Sequence, residues 1–228
     1  MQWLLICSTS PLFLVYFSTL TNWPNHNQNV GIFPPTCNRI ECPSFDVIQV
    51  GNGFEIRRYN SSVWMTTSPI EDISFVSATR TGFLELFFYI QGKNEYKKHI
   101  EMTGPVLTEI VPSDGPFCAS SFLVSFYVPK LNQADPPPAK GLHVQKWGKK
   151  YAAVRQFSGF VQDSDVGVEA AALHESLLGS KWSDVVEKGK STSPPSSYIV
   201  AQYNSPFEFE NRVNEIWMVF DMEDDYVL

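Results

Sequence analysis

One arginine, Arg80, lies among apolar residues in a predicted helix and is the best candidate for ligand binding. Residues 72–91 have helical periodicity, and Arg80 shares an i, i+4, i+8 ridge of that helix with Leu84 and Phe88. A guanidinium can bind a carboxylate through two hydrogen bonds while neighbouring aromatic rings cover an apolar ring system. This arrangement suits a flat, apolar ligand that carries carboxylates.

The helix that contains Arg80 carries more apolar surface than one face of a sheet can cover. One predicted face contains Val76, Phe83, Leu86, Phe87 and Ile90. Together with Leu84 and Phe88 these residues form an apolar arc roughly 200° wide at about 100° per residue. Two interpretations remain open. The surplus surface binds a ligand, or it packs on the neighbouring half of the chain while Arg80 reaches solvent or pairs with an acid.

Other residues are weaker candidates for chemistry. His174 lies beside the apolar stripe of a second predicted helix and could ligate a metal ion, although a lone histidine in such a place is more often structural. His99 and His143 have no partner at metal-ligand spacing. The sequence contains no H-E-x-x-H, G-x-S-x-G, P-loop, G-x-G-x-x-G or C-x-x-C motif. We therefore expect neither a metal site nor catalytic residues.

The length and composition suit one folded globular domain, or two small halves that share a core. The 228 residues include 17 Lys and Arg against 24 Asp and Glu, which gives a net charge of −7 and an isoelectric point of about 5.1. With 43% hydrophobic and 14% aromatic residues and a mean hydropathy of −0.13, the chain can bury a core and lacks repeated membrane spans. No cluster of Lys or Arg is present, so nucleic acid is not an expected partner.

The start of the chain predicts export. Residues 1–38 contain no Asp, Glu, Lys or Arg, and residues 3–20 form an apolar stretch interrupted by Ser, Thr and Pro11. We expect a signal peptide over residues 1–23 and a product that is secreted or lies in the endomembrane lumen, with no stable membrane span after cleavage. The alternatives are a signal anchor that stays in the membrane, or a misassigned start codon and a cytoplasmic product.

Three cysteines would remain after signal cleavage. Cys37 and Cys42 flank four residues within a leader over residues 24–44. In an oxidising compartment a small disulfide loop is favoured over a zinc site, which would need nearby His or further Cys. Cys118 lies in an apolar run and is expected to be a buried free thiol.

From residue 45 onward the apolar pattern occurs twice in the order strand, helix and strand pair. The first pass has a strand at 54–66, a helix at 72–91 and strands at 100–110 and 120–128; the second has one or two strands at 142–157, a helix at 165–178 and strands at 198–203 and 214–220. Gly92 is expected to end the first helix, and the Asp-Ser-Asp group at residues 163–165 is expected to supply the N-cap of the second. This order favours an antiparallel sheet with both helices packed on it.

The domain boundaries follow from the same pattern. We expect one domain over residues 45–221, built from pseudo-repeats at about 45–130 and 142–220 that a Pro-rich stretch connects. Residues 222–228 are expected to form an acidic tail.

Several segments, in this order along the chain, resemble one known family. They are FEIRRYNSSVW, TGFLELFFYIQGKN, IEMTGPVLTEIVP, SFYVP, DPPP, VRQFSGF and YNSPFEFENRVNEIWM. Together they resemble the SOUL heme-binding protein family over residues 45–220, and the leader is similar to that of secreted-type plant members. The resemblance implies an α+β fold in which duplicated βαββ units form a distorted antiparallel β-barrel flanked by two helices. It also implies binding of heme or a related tetrapyrrole in a hydrophobic cleft bordered by the first helix.

The resemblance and the helical geometry together select the candidate cofactor-binding residues. These are Arg80, Phe83, Leu84, Phe87, Phe88 and Phe207. Some family members have a histidine, proposed as an iron ligand, at the position of Arg58, so we expect heme to bind here without a strong axial ligand. Glu208 lies on the rim implied by the resemblance, where an acidic side chain is expected to weaken propionate binding.

Two functions are compatible with these features. The first is a monomeric, non-enzymatic carrier or scavenger that binds heme or another tetrapyrrole by apolar burial, with Arg80 on a propionate. The second is a protein–protein interaction module of the same fold without a physiological heme role, which would contact a protein partner through exposed aromatic residues or the acidic tail. Arg80 among apolar residues favours the first function, and the lack of a histidine at position 58 favours the second.

Overall fold

The computed structural model describes residues 33–111, 120–189 and 198–222, which form ten β-strands and three α-helices. The strands are β1 Asp46–Val50, β2 Glu55–Tyr59, β3 Ser62–Thr67, β4 Ile70–Asp72, β5 Val106–Val111, β6 Ser120–Tyr127, β7 Leu142–Trp147, β8 Lys150–Phe157, β9 Tyr198–Gln202 and β10 Asn214–Phe220; the helices are α1 Phe75–Ile90, α2 Asp163–Leu177 and α3 Trp182–Gly189. The predicted signal peptide, Cys118 and most of the predicted acidic tail lie outside the described residues. No helix in the described ranges has both the length and the apolarity needed to cross a membrane.

All ten strands belong to one antiparallel sheet that curls on itself. The strand order is β1-β2-β8-β10-β9-β5-β6-β3-β7, with β4 paired to β6 outside this path. The strand order is symmetric about the pairing of β9 with β5, because β8-β10-β9 on one side corresponds to β3-β6-β5 on the other. In each half of the chain, a long helix follows the first of these three strands and precedes the other two. Tyr59 of β2, the second strand of the order, contacts Trp147 of β7, the last strand, with ring centroids 6.3 Å apart, so the sheet curls until its two sides come into contact. This is the duplicated, distorted barrel that the sequence predicts.

A buried cluster of charged residues lies inside the curled sheet. Arg57 of β2 donates two hydrogen bonds to Glu215 of β10, at 3.0 and 2.9 Å, and a third to Glu55 at 2.7 Å. All three side chains are almost completely buried. Further donors to the Glu215 carboxylate are Tyr203 Oη at 2.9 Å, Trp217 Nε1 at 2.7 Å and Gln156 Nε2 at 2.8 Å. Burial and the negative charge of Glu215 raise the pKa of Tyr203 well above its ordinary value. The neutral phenol is therefore kept as a donor.

Residues 33–45, here called the closing segment, cover one end of the barrel. Cys37 and Cys42 form a disulfide with their Cα atoms 5.5 Å apart, as predicted. Glu41 pairs with Thr103 in an isolated parallel bridge. Phe45 places its ring 4.3 Å from the guanidinium carbon of Arg57. The closing segment, which contains the end of the predicted leader, therefore packs against the barrel interior.

The helices cover the outer face of the sheet. One apolar cluster contains Phe75 and Ala78 of α1, Leu173 and Leu177 of α2, and Ile216 of β10, so both helices share a core. The two helix starts are also linked, because the Asp163 carboxylate accepts hydrogen bonds from the Val76 N–H at 2.9 Å and from the Ser74 hydroxyl at 3.2 Å.

The structure corrects several predicted elements. The strand predicted over 54–66 is two strands, β2 and β3, because the chain bends at Asn60. The strand predicted from residue 100 begins only at Val106, after Pro105, which has no N–H for a ladder hydrogen bond. The N-cap of α2 is Gln162 rather than the acidic group 163–165, and Asp165 accepts a hydrogen bond from the Gln162 N–H at 2.9 Å. By contrast, Gly92 follows α1 with a φ of 100°, as expected of the residue after a helix C-cap.

Helix α3 and the short strands β1 and β4 are absent from the sequence-based prediction. Helix α3 has eight residues, of which only Trp182 and Val186 are buried. Two buried apolar residues four positions apart are too few to indicate a helical period in the sequence.

Truncating the core of α2 should destabilise the fold. Leu173→Ala or Leu177→Ala removes a buried side chain from the shared cluster, and each should lower the free energy of unfolding by about 2–5 kcal/mol. Chemical denaturation of the full chain measures the change. Val168→Ala on the exposed face of α2 is the matched control and should change stability by less than about 0.5 kcal/mol. Stabilities unchanged by both leucine substitutions would show that α2 is peripheral.

Candidate functional site

Helix α1 is held at both ends by local interactions. Ser74 is its N-cap, and the Ser74 hydroxyl accepts a hydrogen bond from the Ser77 N–H at 3.1 Å. At the other end the Gly92 N–H donates to the Tyr89 carbonyl at 3.1 Å, and the positive φ of Gly92 turns the chain away. With the Asp163 contacts to its first turn, these interactions fix α1 on the sheet.

Small residues decide which face of α1 meets the sheet. The buried residues of α1 are Phe75, Ala78, Gly82, Leu86, Tyr89 and Ile90. A Cβ atom on Gly82 would lie 2.4 Å from Cγ2 of Val124 on β6, so only glycine permits this close approach. Tyr89 also lies on the buried face of α1, and burial raises its pKa to about 12.

The apolar face that the sequence predicts for α1 is wrong in part. Val76 and Phe87 are exposed instead of packing with Leu86, because apolar periodicity gives no weight to glycine.

The side of α1 that faces away from the sheet carries a row of apolar side chains with one cation among them, and the polar Ser77, Thr81 and Glu85 are exposed beside this row. We call Val76, Arg80, Leu84, Phe87 and Phe88 the outer ridge, and all five side chains are exposed. Leu84 and Phe88 are 42% and 51% exposed, so the ridge offers apolar surface to a ligand.

An aromatic column connects the outer ridge to the sheet. Phe83 is half-buried and stacks on Phe87 with ring centroids 5.9 Å apart and an interplanar angle of 15°. The other side of Phe83 contacts Phe126 of β6 at 5.5 Å, and Phe87 contacts Phe88 at 6.4 Å. The exposed rings are therefore supported from beneath by packed rings.

Arg80 is the one arginine of the described residues for which the structure shows neither an ion pair nor a hydrogen bond. The other five are paired as follows: Arg39 with Glu208, Arg57 with Glu55 and Glu215, Arg58 with Asp46, Arg155 with Glu169, and Arg212 with the carbonyls of Ser205 and Glu208. The structure therefore shows no acidic partner for Arg80 among the described residues, in contrast to one of the two interpretations of the sequence. Its guanidinium is available for an anionic group of a ligand.

A second cation lies at the other end of the outer ridge. Lys93 follows Gly92, and its ammonium nitrogen is 5.6 Å from the centroid of the Phe88 ring. The sequence-based prediction omits Lys93, although its position directly after the residue expected to end the helix could have indicated it. The ridge therefore has a positive charge near each end.

The predicted rim residues lie in the connection between β9 and β10. This connection begins after Gln202, the last residue of β9, which pairs with Val106 of β5. Val106 also pairs with Phe126 of β6, and the Phe126 ring contacts Phe83 of α1. Phe207 is exposed at the same end of the sheet, but the described residues show no ring contact between it and the outer ridge. The structure leaves its predicted ligand contact without direct support.

Glu208 differs from the sequence-based expectation. Its carboxylate forms an ion pair with Arg39 of the closing segment and accepts a hydrogen bond from the Ser205 N–H at 3.1 Å. The hydrogen bond from Arg39 holds the pKa of Glu208 below its ordinary value. Glu208 therefore stabilises the connection and is not a free acidic group on the rim.

The outer ridge supplies no side chain that commonly ligates iron. Helix α1 contains no His, Cys or Met. Arg58, at the position where some relatives have histidine, forms an ion pair with Asp46 at 2.8 Å. His174 lies on the exposed side of α2, 4.0 Å from Glu187. No group of three or more His, Cys, Asp or Glu side chains in the described residues could hold a metal ion.

Comparisons of the sequence find similar proteins among those named heme-binding proteins. Heme-binding protein 2 of Homo sapiens is 36% identical over 168 residues, which are 73% of this chain and 77% of that protein. Heme-binding protein 2 of Mus musculus is 32% identical over 186 residues, or 79% and 86% of the two chains. Heme-binding protein 1 of Xenopus laevis is 27% identical over 172 residues, or 74% and 84%.

A family model also matches most of the chain. Residues 40–219 match the model described as SOUL heme-binding protein, which covers the barrel, both long helices and part of the closing segment. The chain belongs to the SOUL heme-binding protein family.

Proposed function

We propose that this protein binds heme or a related tetrapyrrole on the outer ridge of α1 and acts as a non-enzymatic carrier or scavenger. The observation that carries the proposal is Arg80, an exposed guanidinium for which the described residues show no partner, within a row of exposed apolar side chains. From Arg80 to Phe88 the helix rises about 12 Å, which is comparable to the width of a porphyrin ring. The names of the similar heme-binding proteins support the same ligand class.

The residues of the outer ridge fit both parts of a tetrapyrrole. Leu84, Phe87 and Phe88 would cover the apolar ring, whose burial contributes about 25 cal/mol per Å². Arg80 would bind a propionate, and a hydrogen bond to a charged group contributes about 1.5–3 kcal/mol. Since the side chains of the outer ridge include no iron ligand, the affinity should depend on the ring and the carboxylates rather than on the metal.

A binding role is favoured over catalysis by the chemistry of the outer ridge. Its side chains are aliphatic, aromatic or guanidinium, so they supply neither a nucleophile nor an acid–base pair. The protein would hold its ligand and release it unchanged.

Removing the guanidinium should weaken ligand binding whether or not iron is present. Arg80→Ala should reduce the affinity for hemin and for metal-free protoporphyrin alike, by about 1.5–3 kcal/mol, or roughly 10- to 150-fold. Absorbance titration measures hemin binding, and fluorescence titration measures binding of the metal-free ring.

His174→Ala is the control for iron ligation and should change neither affinity, because His174 lies on α2 away from the outer ridge. A selective loss of hemin binding with a shifted Soret band in His174→Ala would indicate axial ligation there. Unchanged affinities in Arg80→Ala would contradict the proposed site.

We further propose that the protein works in an oxidising compartment, either outside the cell or in the endomembrane lumen. The support is the Cys37–Cys42 disulfide, since such bridges persist mainly in secreted proteins. The uncharged, apolar residues 3–20 are compatible with an export signal.

Expression of the full chain with its own start tests this compartment. We expect the product to leave the cytosol, to lose about the first 20–25 residues by signal cleavage and to retain the Cys37–Cys42 bridge. N-terminal sequencing and non-reducing peptide mapping detect both changes. A cytosolic product with an intact N-terminus and free thiols would contradict it.

A further inference from the structure

The bend between β2 and β3 carries an acceptor sequence for N-linked glycosylation. Such a sequence is Asn-x-Ser or Asn-x-Thr, in which x is not Pro. Asn60, Ser61 and Ser62 fit this pattern, and no other asparagine of the 228 residues is followed two positions later by Ser or Thr. Neither the buried charged cluster nor the outer ridge uses these three residues.

The Asn60 side chain is accessible at this bend. Asn60 and Ser61 are both exposed. The Asn60 Nδ2 donates a hydrogen bond to the carboxylate of Asp46, which is also exposed, at 3.1 Å. An amide nitrogen of this kind carries two hydrogens, so replacing one of them by a sugar leaves the other for Asp46. The fold is therefore compatible with a glycan on Asn60.

Ser62, the third residue of the acceptor sequence, is buried in the folded chain. It pairs with Trp147 of β7, and its hydroxyl accepts a hydrogen bond from Trp64 Nε1 at 2.9 Å. A transferase that has to engage this serine can do so only before β3 pairs with β7. Because β7 is synthesised long after β3, the acceptor sequence is open while the chain is being made.

The same bend lies between the two edge strands of the sheet. Strands β1 and β7 end the strand order, and each pairs with one other strand among the described residues. Asp46 at the start of β1 contacts Asn60, and Trp147 at the end of β7 pairs with Ser62. Open strand edges are templates for pairing with other chains, and a bulky hydrated group beside them blocks that pairing.

We propose that Asn60 receives an N-linked oligosaccharide during synthesis and that this glycan shields the edge strands β1 and β7. In the transfer, Nδ2 of Asn60 forms a bond to the anomeric carbon of the first sugar of a polyprenyl-diphosphate-linked oligosaccharide. The bond from that carbon to the diphosphate oxygen breaks, the polyprenyl diphosphate leaves, and Nδ2 gives up one proton to a base of the transferase. The modification depends on the proposed export, because this donor and its transferase act in the lumen of the secretory pathway.

Export behind a foreign signal tests the site independently of the chain's own start. Residues 1–23 are exchanged for the cleavable signal of an unrelated secreted protein, which retains every described residue. Treatment of the product from eukaryotic cells with peptide-N-glycosidase should reduce its size in one step and convert Asn60 to aspartate, which peptide mass spectrometry detects. Asn60→Gln and Ser62→Ala should each abolish the size shift. Asn52→Gln changes an exposed asparagine outside the acceptor sequence and should retain it.

An exported product in which Asn60 is unmodified would overturn the proposal. A chain that is glycosylated behind the foreign signal but stays cytosolic with its own start would instead contradict the proposed export.

The timing of the transfer can be tested on unglycosylated chain. A microsomal transferase supplied with its lipid-linked donor should modify the reduced, unfolded chain and leave the folded chain unmodified, because folding buries Ser62. Equal modification of both forms would overturn transfer during synthesis.

Enzymatic removal of the glycan from the folded product tests the shielding role. Light scattering should show aggregation that is faster by about twofold or more after glycosidase treatment, because the edges of β1 and β7 become accessible. The Asn60→Gln product carries no glycan and is the control for the treatment itself. Equal aggregation rates of treated and untreated product would overturn the shielding role.

Discussion

The buried pair of Arg57 and Glu215 is the interaction around which the barrel is organised. It connects β2 of the first pass to β10 of the second, and loss of either partner would leave an uncompensated buried charge at a cost of about 3–5 kcal/mol. The rings of Tyr59, Trp64 and Trp217 pack in the same interior. Side chains therefore fill the inside of the curled sheet, and this packing is one reason for proposing a ligand site on the outside.

The proposed binding face on the outer surface results from the way α1 packs. Ala78 and Gly82 face the sheet and allow the helix to approach β6 closely, which leaves several large side chains of the same helix on its far side. The stacking of Phe83 on Phe87 then supports the exposed rings. Arg80 forms no ion pair among the described residues, whereas the buried Arg57 is paired with Glu55 and Glu215.

The sequence predicts those features that depend on local periodicity. The order of the long strands and of the two long helices, the bounds of β10 and the ridge of Arg80 with Leu84 and Phe88 follow from spacing alone, whereas α3, β1 and β4 do not. Contacts between distant segments do not follow from spacing. Arg39 and Glu208 are 169 residues apart, and the alternating charges of Glu55 and Arg57 resemble a solvent-exposed strand face although both residues are buried. Hydrophobic periodicity also cannot show that a glycine, Gly82, is the residue closest to the sheet.

The most direct test of the account is to map the ligand on the folded chain. Backbone amide chemical shifts of isotope-labelled protein can be followed while gallium protoporphyrin, a diamagnetic analogue of hemin, is added. The account predicts that the largest shifts fall on residues 80–88 and Lys93, while α2 changes little. Shifts centred on α2 around His174, or on the interior strands β2 and β10, would contradict it.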